Sequence, residues 1–302
     1  MFFMSTGPVF AGVATPFLDQ NKYAAMPAAS GWTANSNIGA GWNEARGIRI
    51  ESDGSSRKVD DSRWSVRGRT HWKAARLGVM YSGEQALLKN VVEEETAWEF
   101  VRADAALVLG SMFSTGLKVF QEKTRTAASG SARRDLGGGL GVSFKFVKIL
   151  YAAFGINYIR NETTGLVSNE WLEREIGLAC MGELTKNLQH RFELWWRHSP
   201  RSKKKKSGGL ALNHHAMTDE IGGEAEARLY SFTLSMDYSY SRQEAASAAM
   251  GDVRRHSFSP GLGWRVFNTG VLTGLYGRHE ELSGREYKKL VNELGLFVSY
   301  VF

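Results

Sequence analysis

No proline stands between Pro27 and Pro200, and across that span apolar side chains alternate with small or polar ones. Alternation at a period of two puts successive side chains on opposite faces of a strand. A proline-free run is what a ladder paired on both edges requires, because each interior residue must donate its N–H. The longest apolar run, Ile149 to Ile156 (ILYAAFGI), is far short of the ~18 residues that a membrane-crossing helix needs. Mean hydropathy is −0.30. If this chain crosses a membrane, it must do so with strands whose backbone groups are all paired.

The pattern divides into segments at 37–51, 62–72, 74–83, 96–109, 111–123, 135–147, 149–160, 170–182, 188–199, 207–217, 224–240, 253–266, 269–281 and 290–302. That predicts an all-β chain of about fourteen strands, separated in turn by very short links and longer polar loops. The segment 207–217 carries only Leu210, Leu212 and His214 as its pattern, and without it the count falls to twelve after another merger. Pro260, inside the twelfth segment, reads as a bulge.

The last strand sets the class. Leu294, Leu296, Val298, Tyr300 and Phe302 share one face, opposite Gly295, Phe297, Ser299 and Val301. An apolar terminal strand with aromatics near its end and a closing Phe resembles the C-terminal assembly signal of Gram-negative outer-membrane β-barrels, with Gly295, Val298, Tyr300 and Phe302 as the signal positions. The resemblance implies a porin-like, closed antiparallel transmembrane barrel over 37–302 in the bacterial outer membrane, inserted by the barrel-assembly machinery. It also implies short periplasmic turns and longer extracellular loops. Counted back from Phe302, the links at Trp72-Lys73, Gly110-Ser111, Val147-Lys148, Thr185-Lys186 and Asn268-Thr269 all fall on the periplasmic side. Aromatics at strand ends, among them Trp64, Trp72, Tyr151, Tyr158, Trp196, Phe258 and Trp264, fit girdles at the two membrane interfaces. A soluble β-sandwich would show the same alternation with its apolar face inside.

Residues 1–36 read as a signal remnant, a periplasmic segment or a plug, since Met1 to Phe17 has small and apolar residues but no basic start. The lone Cys180 excludes an internal disulfide.

Charge locates the lumen. Arg63, Arg67, Arg69, His71 and Lys73 follow at period two, and cations facing lipid cost roughly 2–4 kcal/mol each near the midplane, so this face turns inward. Arg49, Arg76, Arg102, Arg265 and Arg278 extend a basic wall, while Glu173 and Glu175 with Arg191, Glu193 and Arg197 form a mixed one. Such a lumen predicts passive passage of small polar or anionic solutes. A filled, ion-paired interior is the alternative, as in a structural barrel that anchors an envelope or export complex through periplasmic or surface partners. The net charge of +7 is spread over many strands, which argues against nucleic acid and suits outer-membrane lipid and lipopolysaccharide. The run Arg201-Ser-Lys-Lys-Lys-Lys206 falls in an outer loop.

Signals for catalysis are slight. His198-Ser199 invites comparison with outer-membrane phospholipases, whose serine stands two residues after the histidine, so the spacing fails. That leaves His198, Ser199 and the inward carboxylates as the only residues for a lipid or peptide hydrolase. His214 and His215, adjacent on a strand, point to opposite faces and cannot share a metal, and no cofactor is expected.

Overall fold

The computed structural model describes residues 36–301 apart from 52–53, 73, 90–93, 127–130, 164–166, 186–187, 201–216, 245–251, 267–268 and 285–286. In chain order the strands are Asn37–Glu51 (β1), Ser56–Trp72 (β2), Ala75–Lys89 (β3), Glu94–Leu109 (β4), Phe113–Thr126 (β5), Ser131–Val147 (β6) and Leu150–Thr163 (β7). They continue as Val167–Thr185 (β8), Leu188–Ser199 (β9), Thr218–Leu229 (β10), Phe232–Gln243 (β11), Val253–Arg265 (β12), Val271–Ser283 (β13) and Tyr287–Val301 (β14). Each pairs antiparallel with its sequence neighbours, and β1 closes on β14 from Asn37↔Val301 to Glu51↔Tyr287. Closure removes the sheet edge, so no strand presents an unpaired row of backbone groups to lipid. Strands of 12 to 19 residues exceed the ~9–11 needed to cross a bilayer.

The count of fourteen is reached by a different route from the one the sequence suggests. The span 224–240 is not one strand but the core of a hairpin, β10 and β11, which pair from Leu229↔Phe232 to Thr218↔Gln243. Tyr230 takes a positive φ of 54° in the two-residue turn between them, the left-handed conformation such hairpin turns demand. The expected strand 207–217 lies, save for its last residue, outside the described residues. Splitting one segment restores the count and the alternation of short and long links. Pro260 makes no bulge: pairing of β12 with β13 lapses at Ser259 and Pro260 and resumes at Gly261↔Tyr276 in the same register. Register shifts occur instead at Lys145/Val147 and Glu183/Thr185, beside short turns.

The two faces separate as hydrocarbon solvation requires. Leu140 (70% exposed), Leu294, Leu296, Val298, Leu234, Phe232, Leu172, Leu194 and Ile156 all stand on the outside. A sandwich would bury them; a barrel in lipid exposes them. Trp64, Trp264, Tyr300, Tyr158, Tyr238 and Phe258 are outward, as girdle residues must be. Tyr151 is not, because it lies buried on the inner face with Ala153, Ala179, Met181 and Trp195. The side chain of Trp72 lies outside the described residues.

Inside, large side chains lie across glycines directly opposite them on the next strand. Phe120 faces Gly137, Trp195 faces Gly222, Phe297 faces Gly274 and Tyr276 faces Gly295. A Cβ added at any of these four glycines would fall within the ring opposite. The glycines thus make the shelf on which each ring rests against the wall, the arrangement by which aromatics cover sheet glycines. Gly274→Val should therefore lower the free energy of unfolding by about 1–3 kcal/mol through overpacking, and Gly274→Val with Phe297→Ala should recover part of it. Urea titration in detergent micelles measures both; an unchanged midpoint for Gly274→Val would show that the ring has room elsewhere.

Candidate functional site in the barrel interior

The inner face carries buried charge arranged in separate ion-paired groups. In the first, Lys118 on β5 reaches across β6 and β7 to Glu175 on β8, with Nζ 3.1 and 3.0 Å from the two carboxylate oxygens. It can do so because the inward positions between are glycines. Gly116, Gly141, Gly155 and Glu175 follow one another in register across four strands, and a Cβ on Gly155 would stand 3.1 Å from Glu175 Oε2. Asn157 occupies the space over Gly139 and donates from Nδ2 to Glu173 Oε1 at 3.0 Å. Ser199 Oγ donates to Glu173 Oε2 at 2.7 Å. Arg197 lies 3.8 Å from Glu173 and pairs with Glu220.

The second group sits on β9 and β10. Glu193 and Glu224 are directly opposed, as are Arg191 and Glu226. Two carboxylates facing each other across a ladder repel. Arg191 answers that repulsion by pairing with Glu224, with Glu226 at 3.2 Å and with Glu193 at 3.5 Å. The third group is on β12–β14, where Arg278 pairs with Glu280 and lies 3.4 Å from Glu293, with its Nε donating to Ser257 Oγ at 3.2 Å. Arg255 adds a 2.7 Å bond to Glu280. On β4, Arg102 lies 3.3 Å from Asp104.

Of the expected wall, Arg67, Arg102 and Arg278 are buried on the inner face, and Arg76 and Arg265 are half-buried. The side chains of Arg49, Arg63, Arg69 and His71, and all of Lys73, lie outside the described residues. Glu173, Glu175 and Arg197 lie in one group, while Arg191 and Glu193 belong to a different one. Arg278 meets the carboxylates of β13 and β14. Among the described residues the buried charge is not basic on balance. Among the described residues, Asp104, Asp135, Glu173, Glu175, Glu193, Glu224, Glu226, Glu280 and Glu293 are buried, against Arg67, Arg102, Lys118, Arg191 and Arg278.

Sequence reasoning missed Lys118, Asn157, Glu220, Glu224, Glu226, Glu280 and Glu293. For Glu224 and Glu226 the signal was present: read as one strand with Tyr230 and Phe232 outward, 224–240 puts both carboxylates in lipid. That contradiction marks the turn at Tyr230-Ser231. The phospholipase comparison also ends here. His198 faces outward, with Nδ1 2.8 Å from Asp219 Oδ1, and Ser199 faces inward to Glu173. Adjacent strand residues point to opposite faces, so they form no dyad.

Arg191→Met should leave three buried carboxylates without their cation and lower stability by about 3–5 kcal/mol. Adding Glu224→Gln should restore part of that, because the two changes share one group. Unfolding midpoints followed by tryptophan fluorescence test this; additive losses would mean that the carboxylates do not interact through Arg191.

No protein-family model matches the sequence, and no curated protein is similar to it. Solved structures are. The chain is similar to the Ralstonia pickettii toluene transporter TbuX (10% identity, 92% of this chain and 92% of that chain, TM-score 0.58). It is similar to the CymD monoaromatic hydrocarbon channel (11%, 91% and 91%, TM-score 0.57) and to a Pseudomonas aeruginosa FadL homologue (11%, 92% and 93%, TM-score 0.54). At these identities the likeness establishes the fold alone, a closed antiparallel β-barrel, and the apolar exterior fits that barrel to the outer membrane.

Proposed function

We propose that the protein is an outer-membrane channel for small uncharged solutes with apolar or aromatic character. The observation that carries this reading is the state of the buried interior charges among the described residues, which are mostly paired with each other. A permeating anion would meet more buried carboxylates than buried cations among the described residues, and Arg102, Lys118, Arg191 and Arg278 are already paired with carboxylates. A neutral solute breaks none of those pairs.

Apolar surface is available beside them. Tyr151, Ala153, Ala179, Met181 and Trp195 form one inward cluster and Leu272, Tyr276 and Phe297 another, both toward the end of the barrel that carries the short turns. Rings laid flat on glycines offer faces for stacking or edge contact with an aromatic guest. The structures similar to this chain include channels described for toluene and monoaromatic hydrocarbons, which supports the same solute class here. Passage of polar or anionic solutes, the expectation from the basic ladder of β2, is the second reading, and the buried Arg67 is its best support.

Planar bilayers and cell uptake separate the two. The channel reading predicts ionic conductance well below that of a general porin, together with faster uptake of a monoaromatic probe such as toluene in cells that produce the protein. Trp195→Ala should change that uptake while leaving conductance low. Large, ohmic, anion-selective conductance would replace it with the polar-solute reading.

A further inference from the structure

On the outside of β9 and β10, the apolar surface gives way to polar residues at one row, while on β8 the exposed Leu172 lies beyond it. Ile176, Trp196 and Ile221 stand opposite one another in register, and the next outward row, toward the long loops, is Arg174, His198 and Asp219. The three polar residues occupy adjacent strands. His198 Nδ1 is held 2.8 Å from Asp219 Oδ1, and Trp196 stacks on the imidazole with ring centroids 5.7 Å apart and planes at 16°.

Arg174 is exposed between the exposed side chains of Leu172 and Ile176, and it makes no ion pair or side-chain hydrogen bond among the described residues. A guanidinium without a partner is costly against hydrocarbon and tolerable only near the interface. The row therefore lies where acyl chains give way to headgroups. In this fold class the long loops are extracellular, so the leaflet is the outer one.

We infer that Arg174 and His198, over Trp196, form a seat for the phosphate of an outer-leaflet glycolipid headgroup. The guanidinium fork matches phosphate oxygens two at a time. With Nδ1 engaged by Asp219, the Nε2 edge of His198 is left for the ligand. Trp196 supplies the amphipathic ring that settles at the border between tails and headgroups. The seat is independent of what the lumen conducts.

The test is lipid binding by the full chain in detergent micelles, read by native mass spectrometry with bisphosphorylated lipid A as the probe. Arg174→Gln should weaken binding about tenfold, the loss expected for one charge-assisted contact. His198→Gln should add to it. Arg254→Gln, a change at an exposed cation on β12, should not alter binding. Heat-modifiable gel migration establishes that each variant is folded. Equal binding by wild type and Arg174→Gln, or equal binding of fully dephosphorylated lipid A, would overturn the seat. Complete displacement by inorganic phosphate at an affinity equal to that of the lipid would make it a free-anion site and overturn it as well.

Discussion

Everything in this molecule follows from placing a hydrogen-bonded sheet in hydrocarbon. Lipid offers no partner to an N–H or a C=O, so the sheet must close, and β1 meets β14 along the whole of both strands. Closure then divides every strand into two solvents. The outer one accepts leucine, valine and aromatics, and the inner one must take nearly all the charge. The interior is not a place chosen for polar chemistry so much as the only place left for it. What the sequence controls is how those charges are combined there.

They are combined in small, closed sets. Lys118 finds Glu175, Arg191 gathers three carboxylates, and Arg278 gathers two. Burying an ion pair yields little net stability, because desolvation offsets attraction, but removing one member leaves a buried charge exposed to that penalty. The pairing therefore holds the wall in a particular arrangement more than it adds to its overall stability. Between the sets, inward rings give the lumen apolar stretches that a uniformly charged wall would lack.

Much of this was legible in the chain. The terminal strand from Leu294 to Phe302 announced both faces, and its outward Leu294, Leu296, Val298 and Tyr300 and inward Phe297 and Ser299 stand as their alternation requires. The period of two also located Arg67, Glu173 and Glu175 inside. Two things were not legible. The turn at Tyr230-Ser231 has no glycine, asparagine or proline to mark it, so two strands read as one and the inward carboxylates of β10 were missed. Partnership across strands was hidden as well. Which carboxylate meets Lys118 depends on register over three strands, and alternation within one strand carries no record of register.

The glycines opposite the inward rings supply that record. An apolar outer face tolerates a slip of two residues between neighbouring strands, since leucine would still lie beside leucine and lipid would register little difference. The inner face does not. Moved by two, Phe297 would exchange Gly274 for Leu272 or Tyr276, and Tyr276 would leave Gly295 for Glu293 or Phe297. Trp195, Tyr276 and Phe297 each find a glycine at one position on the adjoining strand and a larger side chain two residues to either side. A barrel whose exterior is nearly degenerate thus carries part of its alignment on the inside, as notches in the β9–β10 and β13–β14 ladders.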